Sequence, residues 1–310
     1  MKLVELFIRN QHGVVVQRIA GLHQRFGERI PARNRFGAGP FDCLDGCPLG
    51  RDTAAVTSRT GDPIVAPQFH GARRVRVLSY NIHKGIGGRD RRYQLDRIME
   101  VIETETPDII CLQEVDRHVR RSRYDNQPER FAERFGFTHR MYQLNVQLKS
   151  GGYGNLVLSR WPFRTHHQIQ LTQQARKPRG AQMAIIETPQ GAVHLVNWHL
   201  GLAERERHWQ TRRLLEHHLF CEGRETPQLI IGDTNDWRNT LASGPFVVHG
   251  FQQLTAPISR FRSFPAYLPL GSLDKAFWRG RFSQLSAHVS KRRLCRDASD
   301  HLPLIVDFEL

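Results

Sequence analysis

After residue 73, apolar residues fall into short runs separated by polar clusters. The run VRVLSYNIH (75–83) is β-rich, and DIICLQEV (108–115) reads as a buried strand. NLVLSRW (155–161), AQMAIIE (181–187), VHLVNWHL (193–200) and QLIIGD (228–233) predict further strands. LDKAFW (273–278), QLSAHVS (284–290) and LPLIVDFEL (302–310) predict the last ones. Helical spacing dominates 93–105, where Leu95, Ile98, Met99, Val101 and Ile102 share one side. A short helix is expected over 129–135. A longer one is expected over 204–220, with Trp209, Leu215 and Leu219 on its apolar side. Strands outnumber helices and mostly follow one another directly. That predicts mixed or antiparallel sheets with helices outside, not a doubly wound parallel sheet.

Residues 1–72 lack such periodicity. VVVQRIAGL is apolar, but long stretches of Arg, Gly, Pro, Ser and Thr follow. The expectation is a poorly ordered N-terminal extension or a mis-annotated start, with one folded domain over 73–310. That domain is long enough to bury a large core.

The 310 residues are 39% hydrophobic and 24% charged, which excludes a mainly disordered chain, collagen and a coiled coil. No apolar run reaches the roughly 18 residues of a transmembrane helix, and no secretory h-region opens the chain. The cytoplasm is the expected compartment and a monomer the expected state. Net charge is +15, and 39 of the 45 basic residues are Arg. Residues 1–72 hold 9 basic and 6 acidic residues, so +12 belongs to 73–310. Such a surface favours anionic partners, and an arginine-rich codon bias is the bland alternative. The five cysteines are scattered, and Cys43 and Cys47 have no second pair at zinc spacing, so all read as free thiols.

Polar residues collect where the buried strands end. Asn81 closes the first, with His83 close by; Glu114 closes the second, and His199 and Asp233 close two more. Asn235 lies two residues past Asp233, Asp274 opens a late strand, and Asp300 and His301 precede the last. Loops at strand ends are where scaffolds present catalytic groups. The carboxylates are hard oxygen donors suited to Mg²⁺ or Mn²⁺. A His–acid pair can prepare a water molecule, and Asn and His donors can hold a developing oxyanion. Together these groups suit metal-assisted attack of water on phosphorus.

The segments SYNIHKG (79–85), DIICLQEV (108–115), GNLVLSRWP (154–162), NWHLGL (197–202), GDTNDW (232–237), LDKAFW (273–278) and SDHLPL (299–304) resemble, in order and spacing, the endonuclease/exonuclease/phosphatase (DNase I-like) superfamily. The resemblance runs from about residue 75 to 310. It implies an α/β fold: a four-layer α/β/β/α sandwich of two mixed sheets flanked by helices. It implies Asn81, Glu114 and Asp300 at the metal site, with Glu114 the principal Mg²⁺ ligand. It implies His199, Asp233, Asn235, Asp274 and His301 as catalytic residues, with Asp274 orienting His301 and Asp233 serving in proton transfer or water activation. Asn145 lies where many members keep an asparagine near the phosphate. Thr234 and His83 depart from the commonest pattern, since Phe and an acid are frequent there.

IHKG, KPRG, HLGL, GDTNDWR and RSFPAYLPLGSLDK resemble bacterial YbhP-type members of the superfamily. Lys84 and Arg179, in two of these motifs, are candidate phosphate contacts. The loop 116–127 carries Arg117, Arg120, Arg121 and Arg123 and could meet a second phosphate or a nucleic-acid backbone. The expected function is Mg²⁺-dependent phosphoester hydrolysis, of phosphodiesters before monoesters, on nucleic acid or a phospholipid headgroup. A catalytically idle phosphate-binding module is the alternative. No stacking insertion for single strands and no hydrophobic membrane hairpin is evident in the sequence.

Overall fold

Strands that alternate their side chains between two apolar layers must be covered on both faces. In the computed structural model, which describes residues 74–310, that requirement generates the architecture. The extension expected over 1–72, with Cys43 and Cys47, lies outside the described residues.

The order is β1 (Val75–Asn81), α1 (Leu95–Glu105), β2 (Ile109–Arg117), α2 (Gln127–Phe135), β3 (His139–Leu148), β4 (Gly151–Ser159), β5 (Phe163–Gln170), β6 (Gly180–Thr188) and β7 (Gly191–His199). It continues with α3 (Glu204–Leu215), α4 (His218–Glu222), β8 (Gln228–Asp233), α5 (Pro245–Val248), β9 (Gln252–Gln253), β10 (Asp274–Arg279), β11 (Gln284–Val289), α6 (Arg293–Ala298) and β12 (Leu304–Glu309). The strands form two six-stranded mixed sheets, ordered β11-β12-β1-β2-β4-β3 and β5-β6-β7-β8-β10-β9. Only β1–β2 and β7–β8 pair in parallel among these strands. The expected sandwich is present.

Burial alternates along the second sheet. Leu195, Leu229 and Ile231 face the first sheet and share one core with Leu78, Leu112 and Ile98 of α1. Val196, Trp198 and Ile230 point the other way and pack with Leu214, Phe220 and Phe246 of α3, α4 and α5. A buried amide cluster pins the sheets together. Asn197 Nδ2 donates to Leu112 O, Leu156 O and Gln182 Oε1, and its Oδ1 accepts from Gln113 Nε2 at 2.8 Å. Satisfied buried amides of this kind fix register because leaving any one unpaired is costly.

Several elements go beyond the sequence expectation. β3, β5, β9, α5 and α6 are additional. β5 (FRTHHQIQ) is an edge strand that buries only Ile169, so its polar composition carries no core signal. The helix expected over 204–220 breaks: His217 is extended, and its ring accepts from Leu219 N to start α4. The buried side of α3 holds Glu206, Arg207, Gln210, Thr211, Leu214 and Leu215, while Trp209 is half-buried. Those polar residues brace the loop after β7, where Gln210 Oε1 accepts from Gly201 N at 2.8 Å. Cys111, Cys221 and Cys295 are free thiols. Among the described residues, no helix is long and apolar enough to cross a membrane.

Candidate active site

Strand register assembles the site. Parallel pairing of β7 with β8 sets His199 opposite Asp233, and antiparallel pairing of β8 with β10 sets Asp274 opposite the same Asp233. Gly232 makes the approach feasible. Its φ is +145°, and a Cβ there would meet Trp198 O at 2.2 Å. On the first sheet, β2 bulges: Leu112 pairs with Leu156 and Val115 with Gly154, leaving Gln113 and Glu114 against Asn155 alone. Gln113 is locked by Ser79, Cys111 O and Asn197. Glu114 takes φ +59°, a strained conformation of the kind that functional sites retain.

Asp233 is the hub. Its Oδ2 accepts from Asn81 Nδ2 at 3.0 Å and lies 3.4 Å from His199 Nε2 and 3.7 Å from His301 Nε2. Its Oδ1 accepts from Asn235 N at 2.9 Å. Asn235 has φ +50°, and its Nδ2 donates to Leu200 O at 3.0 Å, which leaves one amide hydrogen for a ligand. Behind His301, Asp274 Oδ2 lies 2.8 Å from Nδ1 and also accepts from Ser263 Oγ at 2.5 Å. Asp300 Oδ2 faces His83 Nε2 at 3.7 Å, and Ser299 Oγ donates to Asn81 O at 2.8 Å.

The electrostatics differ sharply between the two histidines. Burial pushes His199 down to about 3, helped by the Arg179 cation. Burial opposes charge on His301 too, yet Asp274 and Asp233 overcome it and raise His301 to about 10. Glu114 also resists burial: Lys84, His199 and His83 hold its carboxyl well below the usual carboxylate range.

Several candidate substrate contacts gather around Tyr153 of β4, some from first-sheet loops and some from the β5–β6 loop of the second sheet. Lys84 forms an ion pair with Glu114 and lies 5.5 Å from the Tyr153 ring centroid. Lys177 lies 5.2 Å and Arg121 5.0 Å from the same ring. Arg121 is clamped by buried Asp116 at 2.9 and 2.7 Å. Two of the other loop arginines go elsewhere, Arg117 onto Tyr142 and Arg123 onto Tyr93. Arg179 is buried, and its Nε has no hydrogen-bond partner. Asn145 sits at a bulge of β3, and its buried Oδ1 likewise has no partner. Burial lowers the Lys177 ammonium, and Arg179 adds to the effect.

Asp233, Asp274 and His301 each bring a ligand atom within 4.8 Å of one another. His301 is a poor metal ligand there, because Asp274 engages Nδ1 and the two carboxylates favour its protonated form. Glu114, Asp300 and the amide oxygen of Asn81, which accepts from His83 N at 3.1 Å, are hard oxygen donors of the kind a divalent cation prefers. The Lys84 ammonium on Glu114 shows that positive charge is favoured at this carboxylate.

Sequence reasoning lacked Ser263, Tyr153 and Lys177. Ser263 lies in the quoted RSFPAYLPLGSLDK segment and Lys177 in the KPRG segment that drew attention to Arg179, whereas Tyr153 lies just before GNLVLSRWP.

A family model described as "Endonuclease/Exonuclease/phosphatase family" matches residues 78–301. Protein YbhP of Escherichia coli, described as uncharacterized, is 32% identical over 246 residues, covering 76% of this chain and 96% of YbhP. An endonuclease/exonuclease/phosphatase from Beutenbergia cavernae superposes with a TM-score of 0.61 at 22% identity, over 77% of this chain and 72% of that one. TDP2 from Caenorhabditis elegans gives 0.58 at 18% identity, over 77% and 75%. A mannosyl-6-phosphatase from Bacteroides thetaiotaomicron gives 0.58 at 17% identity, over 76% and 100%.

Proposed function

The chain belongs to the endonuclease/exonuclease/phosphatase family, and from that premise we propose that it is a Mg²⁺- or Mn²⁺-dependent phosphodiesterase acting on nucleic acid or a phospholipid headgroup. The observation that carries this reading is the convergence of His199, His301 and Asn81 on the single carboxylate of Asp233.

Glu114, Asn81 and Asp300 would hold the cation, which when bound supplies neutralisation of phosphate charge. Asp233 accepts the proton of the attacking water. The Asn81 amide holds that carboxylate in place. His301, kept cationic by Asp274, faces the charge that develops on phosphorus oxygens. Asn235 offers its remaining amide hydrogen to the same oxygens. His199 stays neutral and contacts the phosphate without adding charge. Arg179, Lys84 and Asn145 orient the substrate phosphate, Arg179 through a guanidinium whose Nε has no partner in the protein.

The test is hydrolysis of bis-p-nitrophenyl phosphate by the full chain with Mg²⁺. Glu114→Ala and His301→Ala should each lower turnover by about 10²–10⁴-fold. Turnover equal to wild type in either variant would reject the assignment.

A further inference from the structure

The second-sheet side of the mouth is apolar and exposed. Leu202 is 75% exposed, Leu270 61%, Leu268 58%, Trp237 54% and Tyr267 52%. These residues sit beside the catalytic groups. Leu202 follows His199 on the loop after β7, and Trp237 follows Asn235 on the loop after β8. Tyr267, Leu268 and Leu270 lie on a loop before β10 that is fastened to the site: Ala266 N donates to Asp300 O at 2.7 Å, and Leu302 N to Ser263 O at 2.9 Å. The loop closes on itself through Phe264 N to Gly271 O at 3.0 Å and Gly271 N to Phe264 O at 2.7 Å.

Aromatic contacts tie Trp237 and this loop to the catalytic His301. Phe264 lies 4.9 Å from the His301 ring, and Trp237 meets Phe264 edge-on at 5.8 Å. Trp237 covers Gly271 so closely that a Cβ there would meet its ring at 2.6 Å. The exposure is therefore a fixed feature of the mouth. Large apolar groups held in water this way mark a contact surface.

Two properties identify the partner. Leucine has no π-face, so Leu202, Leu268 and Leu270 offer nothing to stacked bases, whereas leucine, tryptophan and tyrosine together suit the boundary between acyl chains and headgroups. Around Tyr153 of the first sheet the mouth presents Lys84 and Arg121 from first-sheet loops and Lys177 and Arg179 from the β5–β6 loop of the second. Arg205 and Arg262 flank the apolar side, exposed and without an ion pair among the described residues. Such cations are attracted to anionic headgroups.

We propose that the mouth docks on a lipid bilayer carrying anionic headgroups, with Leu268, Leu270 and Trp237 seated among the acyl chains. Resting on the phosphoesterase reading, this places the substrate phosphoester at a membrane surface.

The test uses the full chain and vesicles of phosphatidylcholine containing phosphatidylglycerol. Wild type should co-sediment with them. The double variant Leu268→Asp/Leu270→Asp should lose about tenfold or more in vesicle affinity, since it replaces two apolar side chains that would leave water with two charges. It should keep its circular dichroism and its turnover of bis-p-nitrophenyl phosphate. Absence of vesicle binding by wild type overturns the proposal. So does equal binding by the double variant, which would assign vesicle binding to charge alone. So does single-stranded oligonucleotide binding that Trp237→Ala abolishes in a protein that ignores vesicles. If wild type binds vesicles through these leucines but hydrolyses no soluble ester, the phosphoesterase reading falls and the docking surface stands.

Discussion

Asp274 holds His301 through a single oxygen: Oδ2 lies 2.8 Å from His301 Nδ1 and accepts the Ser263 hydroxyl at 2.5 Å. The other oxygen, Oδ1, is buried without a hydrogen-bond partner. The carboxylate is therefore aimed by Ser263 and by its place at the start of β10. Ser263→Ala removes a hydrogen bond to a charged group, an interaction of about 1.5–3 kcal/mol. Turnover of the soluble diester should fall about tenfold or more with KM little changed, and its pH profile should shift as His301 loses a fixed partner. Unchanged kcat and an unchanged profile would show that Ser263 only packs.

The His301 charge has a consequence for stability. Its folded value, about 10, lies above that of an unfolded histidine, about 6.5. The unfolded state therefore binds fewer protons between those values, and stability falls as pH rises. The contribution is fully present below about pH 6.5 and is lost on passing pH 10. The difference in urea stability between wild type and His301→Gln should shrink steadily across that window in metal-free protein. In an NMR titration, the His301 ring should remain protonated at pH 8. Titration near its ordinary value would refute the two-carboxylate account.

Lys84 and the proposed cation compete for Glu114. The ammonium already pairs with that carboxylate, and it is poised by a left-handed backbone at φ +64°. Lys84→Met should tighten Mg²⁺ binding on the order of tenfold, as removal of a competing charge predicts. The same change should raise KM by removing a phosphate contact. Calorimetric titration of Mg²⁺ into both proteins checks the first effect. Equal or weaker binding by the variant would show that Lys84 does not compete.

Much of this site is readable in the chain because its residues end strands buried on both faces. Asn81, His199 and Asp233 each close such a run, so hydrophobic pattern and chemistry mark the same positions, whereas Glu114, expected at a strand end, sits at a bulge inside β2, which continues to Arg117. Register does the rest, and register is not written locally. Nothing near Ser263 signals that it will reach Asp274, 11 positions further along the chain. Tyr153 is likewise silent, a half-polar residue in a glycine-rich strand start until three cations surround it. β5 escapes for the opposite reason: as an edge strand it needs little apolar surface, so polar and basic residues fill it. The apolar rim is invisible because exposure of Leu268 and Leu270 follows from loop closure, and sequence alone places leucine inside.

Beneath Asn235, a buried charge group fixes the loop that presents it. Lys275 and Asp236 are fully buried and Arg207 nearly so. Lys275 Nζ donates to Asp236 O and lies 3.6 Å from Asp236 Oδ2, while Arg207 Nη2 lies 3.5 Å from Asp236 Oδ1. Asp236 also accepts from Leu241 N at 3.0 Å, so one side chain joins α3, β10 and the loop after β8. Burial lowers Lys275 to about 8, against the pull of Asp236. Burial opposes charge on Asp236 as well, but Lys275 keeps its carboxyl below the ordinary value. Removing one member of such a group leaves a buried charge uncompensated, which costs about 3–5 kcal/mol. Asp236→Asn should therefore destabilise the protein by that order in urea unfolding and lower kcat through a displaced Asn235. The double variant Asp236→Asn/Lys275→Met should recover part of the stability, because it removes the orphaned ammonium. No recovery in the double variant would place the cost of Asp236→Asn in its lost backbone hydrogen bonds instead.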